Sequence, residues 1–128
     1  MKFALMILLL AVGLFLSPFP ASASLTGSVP SGSAVYVEPF EGDHFYLKGR
    51  LESEVIRAGY RVVESPDRGV FTIKWSYSHG ASTYAAVRIV NDQGEVVHLG
   101  ESRNPGFGTI INKNGATWGC IRRALAAN

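Results

Sequence analysis

The chain has a single cysteine, Cys120, in 128 residues, so no internal disulfide can form. A domain of this size without such a staple has to be held by its apolar core. The same scarcity excludes a lipoprotein, whose lipid is attached to a cysteine at the cleavage point, because Cys120 lies far from the N-terminus. No Asn-x-Ser/Thr sequon occurs, which suits a bacterial envelope protein better than a eukaryotic secreted one. Dense basic stretches are also missing: Lys and Arg number 12 against 10 Asp and Glu, and Arg122-Arg123 is the one adjacent basic pair. That balance provides no stripe to neutralise phosphates and excludes nucleic acid as a partner. The pair itself reads as a dipole-favourable end to a C-terminal helix.

Metal and cofactor signatures are missing as well. His44, His79 and His98 stand neither i, i+4 on a helix nor i, i+2 on a strand, and there is no second cysteine, so no metal-ligand spacing is present. No Gly-x-Ser-x-Gly elbow, phosphate-binding loop or dinucleotide fingerprint occurs, and no cofactor is expected. Glu38, Glu64 and Glu101 could in principle pair as carboxylates for glycoside cleavage. Three acids near strand ends are nevertheless unremarkable in a chain with ten.

What is present begins at the N-terminus. Lys2 precedes fourteen apolar or glycine residues over 3–16, then Ser17-Pro18-Phe19-Pro20 and Ala21-Ser22-Ala23. This is the three-part pattern of a secretory signal peptide over residues 1–23, with cleavage expected after Ala23. The alternative, an uncleaved anchor, meets a run shorter than the roughly 20 residues needed to span a bilayer. The expected destination is the periplasm or the medium, with no stable membrane anchor after cleavage. Residues 24–33 are rich in Ser, Gly, Thr and Pro and read as a flexible leader. Residues 34–128 then form a single domain.

Along that domain the periodicity changes. Residues 34–37 make a short apolar strand. Asp43 can cap a helix on which Leu47, Leu51, Val55 and Ala58 recur at steps of four, four and three, with Gly59 as its C-cap. Residues 60–64 form the second strand of a β-α-β unit, and residues 65–69 form a turn. Phe71, Ile73, Trp75 and Tyr77 then alternate with polar residues, so one face of that strand is aromatic and must be covered. A turn at residues 79–82, a strand over 83–90, a hairpin loop over 91–94 and a last clear strand over 95–99 complete an antiparallel meander. Trp118, Ile121 and Leu125 mark a closing helix over 116–126, in which Cys120 reads first as a buried apolar side chain. A reactive thiol or an intermolecular bridge is the alternative for Cys120. The β-α-β unit leading into the meander predicts an α+β two-layer sandwich, β-α-β-β-β-α, with a mixed sheet and two helices on one face.

The pattern over residues 34–99, including the helix end Ala58-Gly59-Tyr60-Arg61-Val62-Val63-Glu64 and the Asn91-Asp92-Gln93-Gly94 hairpin, resembles a group of small exported envelope domains. These include the N-terminal domain of the Tol-Pal system's β-propeller protein, curli-secretion-type lipoproteins and several periplasmic families. The resemblance implies an envelope-associated scaffold or interaction module and transfers no functional residue.

Candidate binding residues follow from local chemistry. Arg103, Asn104 and Phe107 lie in a Gly-rich segment, residues 103–108, that reads as irregular and could cradle an anion or a peptide. Tyr77 and Tyr84 flank the turn at His79, and an exposed tyrosine there beside Phe107 would mark a partner surface. The expected function is a non-enzymatic binding or scaffold module that meets an envelope protein or a cell-wall component through the open sheet face or the 103–108 segment. The rival expectation is a small exported hydrolase or enzyme inhibitor using His79 or His98.

Overall fold

The computed structural model describes residues 28–105 and 112–127. Within them the chain forms β1 (Ala34–Val37), α1 (Lys48–Arg57), β2 (Arg61–Val63), β3 (Val70–His79), β4 (Thr83–Val90), β5 (Val96–Asn104) and α2 (Lys113–Ala126). The strands build one mixed sheet in the order β2-β1-β3-β4-β5. Strand β1 is parallel to both neighbours, whereas β3, β4 and β5 are antiparallel. Helix α1 packs over β1 and β2, and α2 over β3, β4 and β5, giving a two-layer α+β sandwich. The order contains one strand more than β-α-β-β-β-α, because β2 and all three strands of the meander, β3, β4 and β5, follow α1. The turn between them is closed by Gly69, whose φ of 78° is costly for any side chain bearing a Cβ.

The period-two pattern of β3 does what alternation requires. Ile73, Trp75 and Tyr77 are buried beneath the helices together with Ala85, Val87 and Ile89 of β4, their register partners. Trp75 keeps its indole N–H satisfied by donating to the carbonyl of Glu38 at 2.7 Å. From α1, Leu51 and Val55 enter the same core, as do Trp118, Cys120, Ile121, Ala124 and Leu125 from α2. The two helices also meet directly: the Arg50 guanidinium lies 4.9 Å from the Trp118 ring centroid, and Arg122 lies 3.6 Å from the buried Glu54.

Helix ends are set by short polar side chains. The Asp43 carboxylate accepts from the backbone N–H groups of Leu47 at 2.8 Å and Lys48 at 3.0 Å, so it satisfies first-turn donors although Leu47 holds the N-cap position. Helix α2 starts three residues earlier than the apolar spacing predicts, because the Asn112 side chain accepts from Gly115 N–H at 2.9 Å.

Two sequence expectations are corrected. Residues 28–33, expected to belong to a flexible leader, are fastened to the domain. Val29 is 2% exposed, its carbonyl accepts from the Tyr60 hydroxyl at 2.8 Å, and Gly32 N–H donates to the Gly59 carbonyl. One valine among Ser, Gly and Pro gives no periodic signal, and only the pocket beside Tyr60 makes it a core residue. The other correction concerns β5, which runs to Asn104 rather than ending at residue 99. Gly100 looks like a strand breaker, yet a Cβ at that position would overlap the carbonyl oxygen of Ala124. The glycine is there to let α2 lie directly on the sheet, and the ladder to β4 continues past it.

Candidate functional site

Because both helices cover one face, the sheet divides the candidate residues between two surfaces. Tyr77 pairs with Ala85 and points under the helices, while Tyr84 pairs with Arg103 and points to the opposite face. The two tyrosines flanking the His79 turn therefore do not share a patch. Arg103 and Asn104 lie on β5, opposite Tyr84 and Thr83, which corrects the expectation of an irregular segment at those two positions. The correction follows from pairing, since β4 supplies hydrogen-bond partners that a Ser-Arg-Asn stretch would not demand by propensity. Arg103 faces the uncovered side, and Asn104 the helix side. Phe107 lies outside the described residues.

At one end of the covered face sits an aromatic cluster. Phe45 stacks on Tyr77 at 5.9 Å and on His79 at 4.7 Å between ring centroids, and Phe40 meets Trp75 and Tyr77 edge-on. The Tyr77 hydroxyl donates to Asp43 at 2.6 Å and accepts from Phe45 N–H at 2.9 Å. Burial, and then the bond to Asp43, push this phenol far above its ordinary value. A hollow beside the cluster is lined by Phe40, Gly42, His44, Tyr77, Ser78 and His79. Asp43, which falls between the lining residues Gly42 and His44, is committed to the helix start and to Tyr77, so it serves as a brace between the loop and β3. His98 is buried, and its Nε2 lies 2.9 Å from the Ala124 carbonyl.

The uncovered face has a different chemistry. Register places its side chains in three rows across β3, β4 and β5: Lys74, Arg88 and Leu99; Ser76, Ala86 and Glu101; Ser78, Tyr84 and Arg103. The middle row is short on β3 and β4, so a shallow depression of about 270 Å³ opens over Ser76 and Ala86, with Lys74, Arg88 and Leu99 as its wall. Tyr84 donates to Glu101 at 2.8 Å, and that bond raises the Tyr84 phenol above its ordinary range. Leu99 is 63% exposed, a large aliphatic side chain left in water. Among the described residues, neither helix reaches this face.

Sequence reasoning passed over Lys74, Arg88 and Leu99. The signal was nevertheless present: once the turn is centred on Ala81, an antiparallel hairpin puts Lys74 opposite Arg88. No group of three or more His, Cys, Asp or Glu suited to a metal ion occurs among the described residues. Among those residues, too, no helix is long and apolar enough to cross a membrane. The sequence matches no protein-family model and no curated protein.

Proposed function

We propose that the protein is a non-enzymatic exported module of the cell envelope, periplasmic or secreted, that binds another envelope protein or a cell-wall component through the uncovered face of its sheet. The observation that supports this reading is the uncovered face itself: a depression walled by Lys74, Arg88 and Leu99 on the side of the sheet away from both helices. An extended sheet surface held rigid by a packed layer behind it is suited to binding, since little order has to be gained on association. The signal pattern over residues 1–23 and the resemblance of residues 34–99 to small envelope domains agree with an envelope setting.

The test is photo-crosslinking in the native cell, with a photoreactive side chain replacing Ala86 on the uncovered face or, as a control, Ser53 on α1. The expected result is one defined adduct from position 86 and none from 53. Equal labelling from both positions, or none from 86, overturns the reading. N-terminal sequencing of the protein from the envelope fraction is expected to begin at Ser24, and recovery of the protein in the cytoplasm with Met1 intact overturns the export half.

A further inference from the structure

Lys74 and Arg88 are direct register partners on the antiparallel pair β3–β4, and both project from the uncovered face. Directly opposed side chains in such a pair have Cβ atoms about 4.5–5.5 Å apart, and like charges in opposed positions disfavour each other. Among the described residues, the ion pairs are Lys48–Glu52, Arg57–Glu54 and Arg122–Glu54, so no carboxylate bridges Lys74 to Arg88. The acids nearest by register are Glu38, which follows the β1 residue paired with Ile73, and Glu101, which lies one row away and holds the Tyr84 hydroxyl; neither forms an ion pair with Lys74 or Arg88. The domain thus keeps two cations side by side at the wall of its depression, where a carboxylate presented from outside would pair with both.

The next member of the row is Leu99, in register with Arg88 and 63% exposed. A ligand that only neutralised charge would leave this leucine in water. We infer that the depression binds an acidic segment of a partner protein, in which a carboxylate lies between Lys74 and Arg88 and a neighbouring aliphatic side chain covers Leu99. The inference rests on the binding reading above and deepens it by naming the occupant. A peptide supplies both features two residues apart, because side chains at i and i+2 of an extended chain project from the same face, ~6.6 Å apart along its axis. Polyphosphates and nucleic acids supply only the charge. A glycan would call for an open aromatic platform, whereas the floor here is Ser76 and Ala86.

The inference separates binding from stability. Lys74→Glu replaces the repulsion with an attractive cross-strand pair, so it is expected to raise the melting temperature by about 1–6 °C while removing the anion site. Protein is purified from the envelope fraction of cells expressing the full chain. It is then titrated against a fluorescein-labelled octapeptide that repeats Glu-Ser-Leu-Ser and so carries Glu and Leu on one face (the Glu/Leu peptide), its counterpart with Gln for Glu (the Gln/Leu peptide), and inorganic phosphate as competitor.

Saturable binding of the Glu/Leu peptide is expected, weakened at least tenfold by Lys74→Glu, by Arg88→Glu and by the Gln/Leu replacement, with each variant folded by circular dichroism. Equal binding of the two peptides, no binding of either, undiminished binding by the variants, or displacement by phosphate as effectively as by unlabelled peptide overturns the inference. The two readings can fail separately. If the crosslink from position 86 still captures the same partner in the Lys74→Glu/Arg88→Glu double variant, the binding face stands and the acidic occupant falls.

Discussion

His98 on β5 donates from Nε2 to the carbonyl oxygen of Ala124 on α2 across 2.9 Å, and both groups are buried beneath the last turn of the helix. The last four carbonyls of a helix lack intrahelical donors, so the imidazole closes one of them from the neighbouring layer. That a carbonyl is the partner requires the proton to sit on Nε2. Two positions along the same strand, Gly100 leaves room for the same carbonyl. One backbone oxygen thereby fixes both the height and the position of α2 on the sheet.

Replacement of His98 by Phe keeps a planar ring and removes the donor. The expected loss is about 1–3 kcal/mol, the cost of leaving a buried carbonyl unpaired. Gly100→Ala forces the helix away from the strand and is expected to cost about 3 kcal/mol, at the upper end of overpacking penalties. Urea unfolding monitored by tryptophan fluorescence measures both. A neutral Gly100→Ala variant would show that the helix does not lie on this strand.

Tyr77 leads to a pH prediction. Its phenol is raised in the folded state, so its contribution is fully present below the unfolded value of about 10 and is lost as pH climbs from there toward the folded value. Tyr77→Phe is expected to cost about 1–3 kcal/mol at neutral pH, because Asp43 and Phe45 N–H both lose a partner. The gap in melting temperature between the two proteins should stay constant up to about pH 9 and narrow above pH 10. A gap that widens with alkalinity would contradict the assignment.

Asp43 and Tyr77 are also expected to be coupled. Asp43→Ala removes the acceptor for Leu47, Lys48 and Tyr77 together, so it should destabilise more than Tyr77→Phe. In the double variant the losses should fall short of additive by about 0.5–3 kcal/mol, as for residues sharing one network. Strict additivity in a double-mutant cycle would mean that the loop holding Asp43 and strand β3 are braced independently.

Cys120 is fully buried, with its thiol 3.7 Å from the Thr83 carbonyl and the Arg123 guanidinium 3.4 Å from the sulfur. An aromatic disulfide reagent is expected to react with it only after denaturation, at a rate limited in the native protein by opening of α2. Prompt stoichiometric labelling of the folded protein would restore the alternative of an accessible thiol.

The sequence by itself determined the α+β class, the buried faces of β3, β4, α1 and α2, and the turns at residues 79–82 and 91–94. Each of these rests on a short-range period or on turn residues acting over a few positions. Ile73, Trp75 and Tyr77 could only face one way on a strand, and Leu47, Leu51 and Val55 could only share one side of a helix. Tertiary structure decided the remainder. Val29 became core because Tyr60 reaches it, β5 continued to Asn104 because β4 pairs with it, and Gly100 proved to be a contact point because α2 packs there. The candidate site belongs to this second group. Lys74, Arg88 and Leu99 stand far apart in the chain and become neighbours only through the register of three strands, and their exposure follows from both helices choosing the other face.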